Sequence, residues 1–284
     1  MKPKVSVIIP TLGRETLYPL IDNLLKQKAT FSYEIVLIPQ AKLDESKLKD
    51  KKIKIFYEPP GRGFAYYRNV GIKRSKGDII AFIDDDEMPM NSEWLSIITE
   101  PIRKGKEKVT TSGYKIKLGQ GYFTDSVSLL GFPGGGAIGF EVMWPLKEVG
   151  YTYHICTGNL AIDKKNLIRV GSFTESLIYG NEDVDLGDKL INKKIKIKYL
   201  KEATVYHVSR KGYFNFVRWS LLRGKSAGFF LKYSRHRKGK LSNRFASSGR
   251  ILNEIIRDRP IHLPGVIFMM LNQYLWQGIG AMLK

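Results

Sequence analysis

Four carboxylates in a row, Asp84-Asp85-Asp86-Glu87, follow the apolar run Ile79-Ile80-Ala81-Phe82-Ile83, and Pro89 closes the segment. The run reads as a short buried strand, and the proline ends any regular continuation beyond it. Acids crowded at a strand end repel one another unless a cation sits among them. Hard oxygen donors in that position suit Mg²⁺ or Mn²⁺, ions that keep waters and also hold substrate phosphates. A solvated acidic turn is the plain alternative. Two further features weigh against it: a second acid cluster, Glu182-Asp183-Val184-Asp185, and His207 at the end of another apolar run.

The elements that must position these groups follow from periodicity. Val5-Ser6-Val7-Ile8-Ile9-Pro10 is a β-rich run stopped by proline. Leu17, Leu20, Ile21, Leu24 and Leu25 recur at helical spacing, giving a helix to about Gln27. Glu34–Ile38 and Lys54–Tyr57 read as strands, and Ala65–Arg74 as a helix that turns at Gly77-Asp78 into the central strand. This alternation predicts an α/β fold whose parallel, doubly wound sheet carries its site at the strand C-termini. Farther on, Trp94–Arg103 reads as a helix and Lys108–Leu118 as a strand. The glycine-rich stretch 119–140 reads as a linker or a mobile lid, and 157–162 as a strand. A helix opens at Glu182, and strands are expected over Lys194–Tyr199 and Ala203–Val208.

The chain has 284 residues and a formal charge of +20. Between Lys189 and Arg250 there are 18 Lys and Arg against one acid, Glu202, and no Asp or Glu occurs from Ala203 to Asn253. Such asymmetry implies a polyanionic partner, either a membrane surface or nucleic acid. The one cysteine, Cys156, excludes an intramolecular disulfide and fits a reducing compartment. A strand begins within four residues of Met1, which leaves no room for a signal peptide, so a cytoplasmic location is expected.

In order and spacing the motifs resemble the inverting GT-A glycosyltransferases of family 2 over roughly residues 4–210. The resemblance rests on Pro10-Thr11 with Arg14, on Arg68-Asn69-Val70-Gly71, and on Asp84-Asp85-Asp86 with Pro89. It continues through Gly158-Asn159, Gly171-Ser172-Phe173-Thr174-Glu175, Glu182-Asp183 and His207. It implies a GT-A domain over 1–210, with a mostly parallel sheet flanked by helices, followed by a basic helical region over 211–284. The implied activity is metal-dependent, inverting transfer of a sugar from a nucleotide-diphosphate sugar, with UDP-sugars favoured. The acceptor would be a hydroxyl of a lipid-linked or cell-surface glycan. The resemblance assigns Mn²⁺ or Mg²⁺ to Asp86 with Asp84 and His207, and the donor nucleotide to Pro10, Thr11, Arg14, Gln40, Arg68, Asn69, Asp84 and Asp85. It gives the catalytic base to Asp183, with Glu182 as the substitute, and the acceptor side and lid to Gly158, Asn159, Gly135 and Trp94. One departure stands out: many relatives end the second strand in an acid that meets the uracil ring, and here Pro39-Gln40 takes that place. Gln40 still offers a donor and an acceptor to a base edge. A GDP-mannose transferase acting on a polyprenyl phosphate is therefore the alternative within the class.

Tyr213–Tyr233 reads as a helix, with Arg218, Lys225 and Lys232 at heptad spacing. Its segment Asn215-Phe216-Val217-Arg218-Trp219 is similar to the Gln-x-x-Arg-Trp box of processive polysaccharide synthases, differing at the first position. Ser234–Arg250 reads as a basic connector. Leu263–Leu283 has no charged residue, yet Gln273, Gln277 and Gly280 fall on one stripe, which favours an interfacial or packed helix over a span. Basic and apolar segments together suit peripheral attachment to an anionic inner leaflet. A nucleic-acid-binding protein would account for the charge alone, but it leaves the clustered acids without a purpose, so no nucleic acid partner is expected. A sugar nucleotidyltransferase would need a Gly-rich phosphate loop bearing Lys or Arg after the first strand, and none is present.

Overall fold

The computed structural model describes residues 2–130, 140–144, 146, 150–209, 212–233 and 240–283. The chain divides into two compact units: residues 1–113, 146–178 and 182–206 form one, and residues 114–145, 179–181 and 207–284 form the other. The stretch 114–145, expected in the catalytic domain, groups with the C-terminal residues.

The first unit is built on an eight-stranded sheet. Its strands are β1 (Val5–Thr11), β2 (Tyr33–Pro39), β3 (Ile53–Ile55), β4 (Ile79–Ile83), β5 (Val109–Thr111), β6 (Tyr151–Thr152), β7 (Asn159–Asp163) and β8 (Ile197–Tyr199). They lie in the order β3-β2-β1-β4-β7-β5-β8-β6. Every residue of β1, β2 and β4 is buried, as strands covered on both faces must be. β1 runs parallel to β2 and to β4, with Val5 opposite Ile79 and Ile8 opposite Phe82.

The sheet is mostly parallel, as expected, and β7 is one of its antiparallel strands. It lies antiparallel between β4 and β5, pairing Ile83 with Asn159 and Ile79 with Asp163. Its run Leu160-Ala161-Ile162 is apolar on both faces, a pattern that carries no information about direction. The expected strand Lys108–Leu118 is broken at Ser112-Gly113 into Val109–Thr111 and Tyr114–Lys115.

Five helices flank this sheet: α1 (Leu17–Leu25), α2 (Phe64–Arg74), α3 (Trp94–Arg103), α4 (Lys164–Arg169) and α5 (Glu182–Asn192). α2 approaches β1 so closely that a Cβ on Gly71 would lie 2.3 Å from Ile8 Cγ2. That contact is the physical reason for the glycine of the Arg-Asn-x-Gly motif, and it brings Arg68 and Asn69 down into the unit, both buried.

The second unit is helical, with Tyr122–Leu129, Phe140–Met143, Tyr213–Tyr233, Lys240–Asp258 and Leu263–Met282. Its core gathers Leu129, Leu130, Phe216, Ile251, Ile255, Val266, Met269 and Met270. Much of the expected basic connector is helix 240–258, whose Ile251 and Ile255 turn a face into that core. Helices 213–233 and 263–282 meet at glycines. A Cβ on Gly224 would lie 2.1 Å from the Gln277 carbonyl oxygen, and one on Gly280 would lie 2.1 Å from that of Leu221. The polar and small side of the last helix is therefore packed inward. Phe268, Leu271, Leu275 and Met282, spaced as one helical stripe, face solvent, with Leu271 64% and Met282 77% exposed. Among the described residues no helix is long and apolar enough to cross a membrane.

Candidate active site

β4 ends at Ile83, and the acids that follow are sorted by partner. The Asp85 carboxylate is buried, and it accepts from Thr11 Oγ1 at 2.6 Å, from the Leu12 backbone N–H at 3.1 Å and from Arg14 at 3.0 Å. Burial pushes its pKa up, against the pull of Thr11 and Arg14. Arg14 also donates to Asp86 and keeps nearly half of its side chain in solvent. Thus the Pro10-Thr11…Arg14 motif anchors the acidic turn, and Asp85 serves as its anchor point.

Arg68 occupies the centre of the site. Its buried guanidinium donates to Asp84 Oδ1 at 3.0 Å and to Glu182 Oε1 at 2.6 Å, joining the strand-end acids to the acids that open α5. Burial works against this charge, yet Asp84 and Glu182 hold the pKa above the ordinary guanidinium value. The Glu182 carboxyl is itself pushed up by burial, with Arg68 opposing the shift. Next to it, Asn69 donates to the Phe173 carbonyl and to Glu175 Oε1, each at 2.9 Å, and accepts from the Phe173 N–H at 3.1 Å. The Arg-Asn-x-Gly, Gly-x-Phe-x-Glu and Glu-Asp motifs, far apart in the chain, thereby form one hydrogen-bonded network.

Of the two helix-opening acids, Glu182 is buried and committed to Arg68, whereas Asp183 is half-buried and accepts from the Val184 N–H at 2.8 Å. Asp185 pairs with Lys189 at 2.8 Å and accepts from Thr174 at 2.7 Å. Gln40 is half-buried just beyond β2 and donates its backbone N–H to the Thr11 carbonyl at 3.0 Å.

Two residues expected on the acceptor side hold the fold instead. Trp94 and Asn159 are both fully buried, and Trp94 Nε1 donates to Asn159 Oδ1 at 3.0 Å. The Asn159 amide donates in turn to the Gly113 and Ala203 carbonyls at 3.0 and 2.8 Å. A side chain so occupied ties backbone segments together and presents nothing to an acceptor. Gly158 likewise makes room for a neighbour, since a Cβ there would lie 2.3 Å from Glu87 Oε1. Gly135 lies outside the described residues. His207 belongs to the second unit, where its ring packs 5.4 Å from that of Tyr114.

Glu87 is the residue that motif reasoning passed over. It is buried, its Oε2 accepts from the Asp84 N–H at 3.2 Å, and its Oε1 has no hydrogen-bond partner among the described residues. Burial, reinforced by Asp84 and Asp86, pushes its pKa well above the ordinary glutamate value. The visible signal is its place as the last of four consecutive acids, directly before Met88-Pro89. Among the described residues no three His, Cys, Asp or Glu side chains converge as a ready metal cage.

The family model of Glycosyl transferase family 2 matches residues 6–134. A glycosyltransferase of Haemophilus influenzae is 32% identical over 99 residues, which cover 32% of this chain and 39% of that protein. The chain spans roughly a quarter to two fifths of the length of the curated relatives it matches first. Among solved structures, the Pyrobaculum calidifontis mannosyltransferase in complex with GDP-Man and Mn²⁺ superposes with a TM-score of 0.60 at 16% identity, over 97% of this chain and 76% of that one. The S. aureus TarS fragment in complex with UDP-GlcNAc superposes with a TM-score of 0.53 at 18% identity, over 98% and 82%. At such identities these two likenesses establish the fold, and the family model covers the motifs up to Asp84–Pro89 but not those from Gly158 onward. The chain is therefore similar to Glycosyl transferase family 2 over residues 6–134, and its fold is that of the GT-A glycosyltransferases.

Proposed function

We propose that this chain transfers a sugar, with inversion, from a nucleoside-diphosphate sugar to a hydroxyl of a lipid-linked or cell-surface glycan. One observation carries the reading. The Arg68 guanidinium bonds both Asp84 and Glu182, so the diphosphate end and the acceptor end of the reaction lie within one side chain's reach. Asp84 and Asp86 keep 35% and 24% of their side chains exposed, as donors to an incoming ligand would. Such oxygen donors fit Mg²⁺ or Mn²⁺, which is ordinarily held by one or two carboxylates together with waters and substrate phosphates. When bound, the ion supplies Lewis-acid neutralisation of the departing diphosphate.

The remaining steps fall to the protein's own groups. Asp183, the less buried acid at the start of α5, accepts the acceptor's hydroxyl proton as that oxygen bonds to C1. The C1–O bond to the diphosphate breaks on the opposite face, and its electron pair leaves on the phosphate oxygen. Glu182 keeps Arg68 in place and takes no proton from the acceptor.

The proposed donor is a UDP-sugar. A GDP-sugar is the second reading, favoured by Gln40 standing where many relatives place an acid. We place the acceptor at an anionic membrane surface on the cytoplasmic side, met by the acid-free window 203–253 and the exposed stripe Phe268, Leu271, Leu275 and Met282. Charge and apolar insertion together are what stable, reversible attachment requires. Titration calorimetry with UDP and with GDP tests the donor site. Binding of one nucleotide with Mn²⁺, lost in chelator and in Asp86→Ala, is expected; affinity indifferent to both would remove the metal role.

A further inference from the structure

A second charged feature of the first unit lies far from the acids. A groove of about 600 Å³ is lined by Lys106 and Lys108 ahead of β5, by Lys193, Lys194 and Lys196 ahead of β8, and by Arg169 on α4. Its position follows from strand direction. β7 runs antiparallel to β4, with Asp163 opposite Ile79, so α4 begins at the N-terminal edge of β4. β5 and β8 are parallel, with Val109 opposite Ile197, and the lysines precede both strands at that same edge. Asp84–Glu87 leave β4 from its other end, so the groove and the catalytic acids occupy opposite edges of one sheet.

Against six cations the groove holds one acid, Glu107, and that carboxylate already accepts from the Tyr151 hydroxyl at 2.6 Å. The Tyr151 ring carries the ammonium of Lys196 at 5.1 Å, which fixes one of the cations in place. A further feature concerns Lys194. It sits at the C-terminus of α5 with φ +57°, and the Lys194 and Ile195 N–H groups donate back to the Ile191 and Leu190 carbonyls. This is the left-handed helix-ending position that glycine ordinarily fills. The sequence keeps a lysine there in spite of the conformational cost, which places one more ammonium at the groove.

We propose that this groove is a binding site for a small, soluble oligophosphate, distinct from the donor site. Six cations gathered in a concave site match the charge of two or three successive phosphate groups, and a compact anion fits a recess better than a flat bilayer does. The proposal is independent of the donor-site reading, because no residue lining the groove belongs to the acidic turn or to α5's first turn.

The test is calorimetry of the full chain in chelator with inorganic tripolyphosphate, on the wild type, on Lys194→Gly and on the triple variant Lys106→Gln/Lys108→Gln/Lys194→Gly. Asp86→Ala serves as the donor-site control. Lys194→Gly relieves the backbone and should fold at least as well as the wild type. We expect it to weaken tripolyphosphate binding about 3- to 10-fold, and the triple variant about 30-fold or more, with Asp86→Ala unchanged. Unchanged affinity in the triple variant would overturn the site, assigning any binding to the basic second unit. A change of affinity in Asp86→Ala alone, including the gain expected when a carboxylate that repels phosphate is removed, would overturn it in favour of the donor site. A parallel flotation assay with anionic phospholipid vesicles decides the source: vesicle binding unchanged by the triple variant supports a soluble ligand, and its loss would overturn that in favour of a lipid headgroup.

Discussion

Replacing Arg68 with methionine tests the central claim about the site. The side chain is 3% exposed, and its charge stands between two carboxylates, one of them buried. Removing one partner of a buried pair typically costs about 3–5 kcal/mol, because the other charge is left uncompensated. For a chain of this size that is a drop in melting temperature of roughly 6–20 °C. The loss should depend on pH. Glu182 already has its pKa pushed up by burial, and loss of Arg68 pushes it further. A carboxyl whose folded pKa is raised contributes most stability below its unfolded value and loses it as pH rises through the folded one. Arg68→Met should therefore melt only modestly below the wild type at pH 5 and far below it at pH 8. The double variant Arg68→Met/Glu182→Gln should recover most of the pH 8 deficit. Calorimetric melts of the wild type, both single variants and the double variant at the two pH values measure the coupling. A deficit equal at both pH values, with the two substitutions simply additive, would refute the account of Arg68 as counter-charge.

Further expectations concern the neighbouring groups and the second unit. Asp183→Asn should nearly abolish transfer with donor affinity intact, whereas Glu182→Gln should loosen the Arg68 network and cost stability as well as rate; stopped assays and calorimetry separate the two, and exchanged outcomes would exchange the roles. Glu87, facing Asp84, Asp86 and Arg68, should make the fold less stable as pH rises from the ordinary glutamate range through its raised pKa. The slope is up to about 1.4 kcal/mol per pH unit, and Glu87→Gln should remove it in urea titrations between pH 5 and 7. The full chain should sediment with anionic vesicles and be only partly released by high salt, and Leu271→Lys/Leu275→Lys should convert the remainder to a salt-labile fraction. Indifference of the full chain to such vesicles at low salt would remove the membrane reading.

The sequence made visible what repeats or ends abruptly. Ile79–Ile83, Trp94–Arg103 and Tyr213–Tyr233 fall where their periodicity placed them, because strong patterns with clear breaks leave few alternatives. The direction of Asn159–Asp163 was not legible, since a strand buried on both faces looks alike from either end. The basic, small-residue composition of Ser234–Arg250 reads as a connector, and the apolar residues Ile251 and Ile255 that mark the helix Lys240–Asp258 fall just beyond it. Motif order marks Asn159 and Arg68 as important without saying how. The pairing of Arg68 with Glu182 joins residues 114 positions apart, and the saturated amide of Asn159 depends on backbone carbonyls that no pattern identifies.

The last helix has a consequence for how this chain can change over time. Its two sides answer to separate demands. Gly224 and Gly280 admit no larger residue without parting the helices, so the inward side is fixed by geometry. The outward stripe Phe268, Leu271, Leu275 and Met282 carries no such constraint. A few substitutions there would shift the surface between apolar and charged while leaving the fold untouched. Average hydropathy along the helix would barely register the difference, because orientation decides it. Substitutions along that single helical stripe would thus alter the surface character of the second unit at little cost to its core.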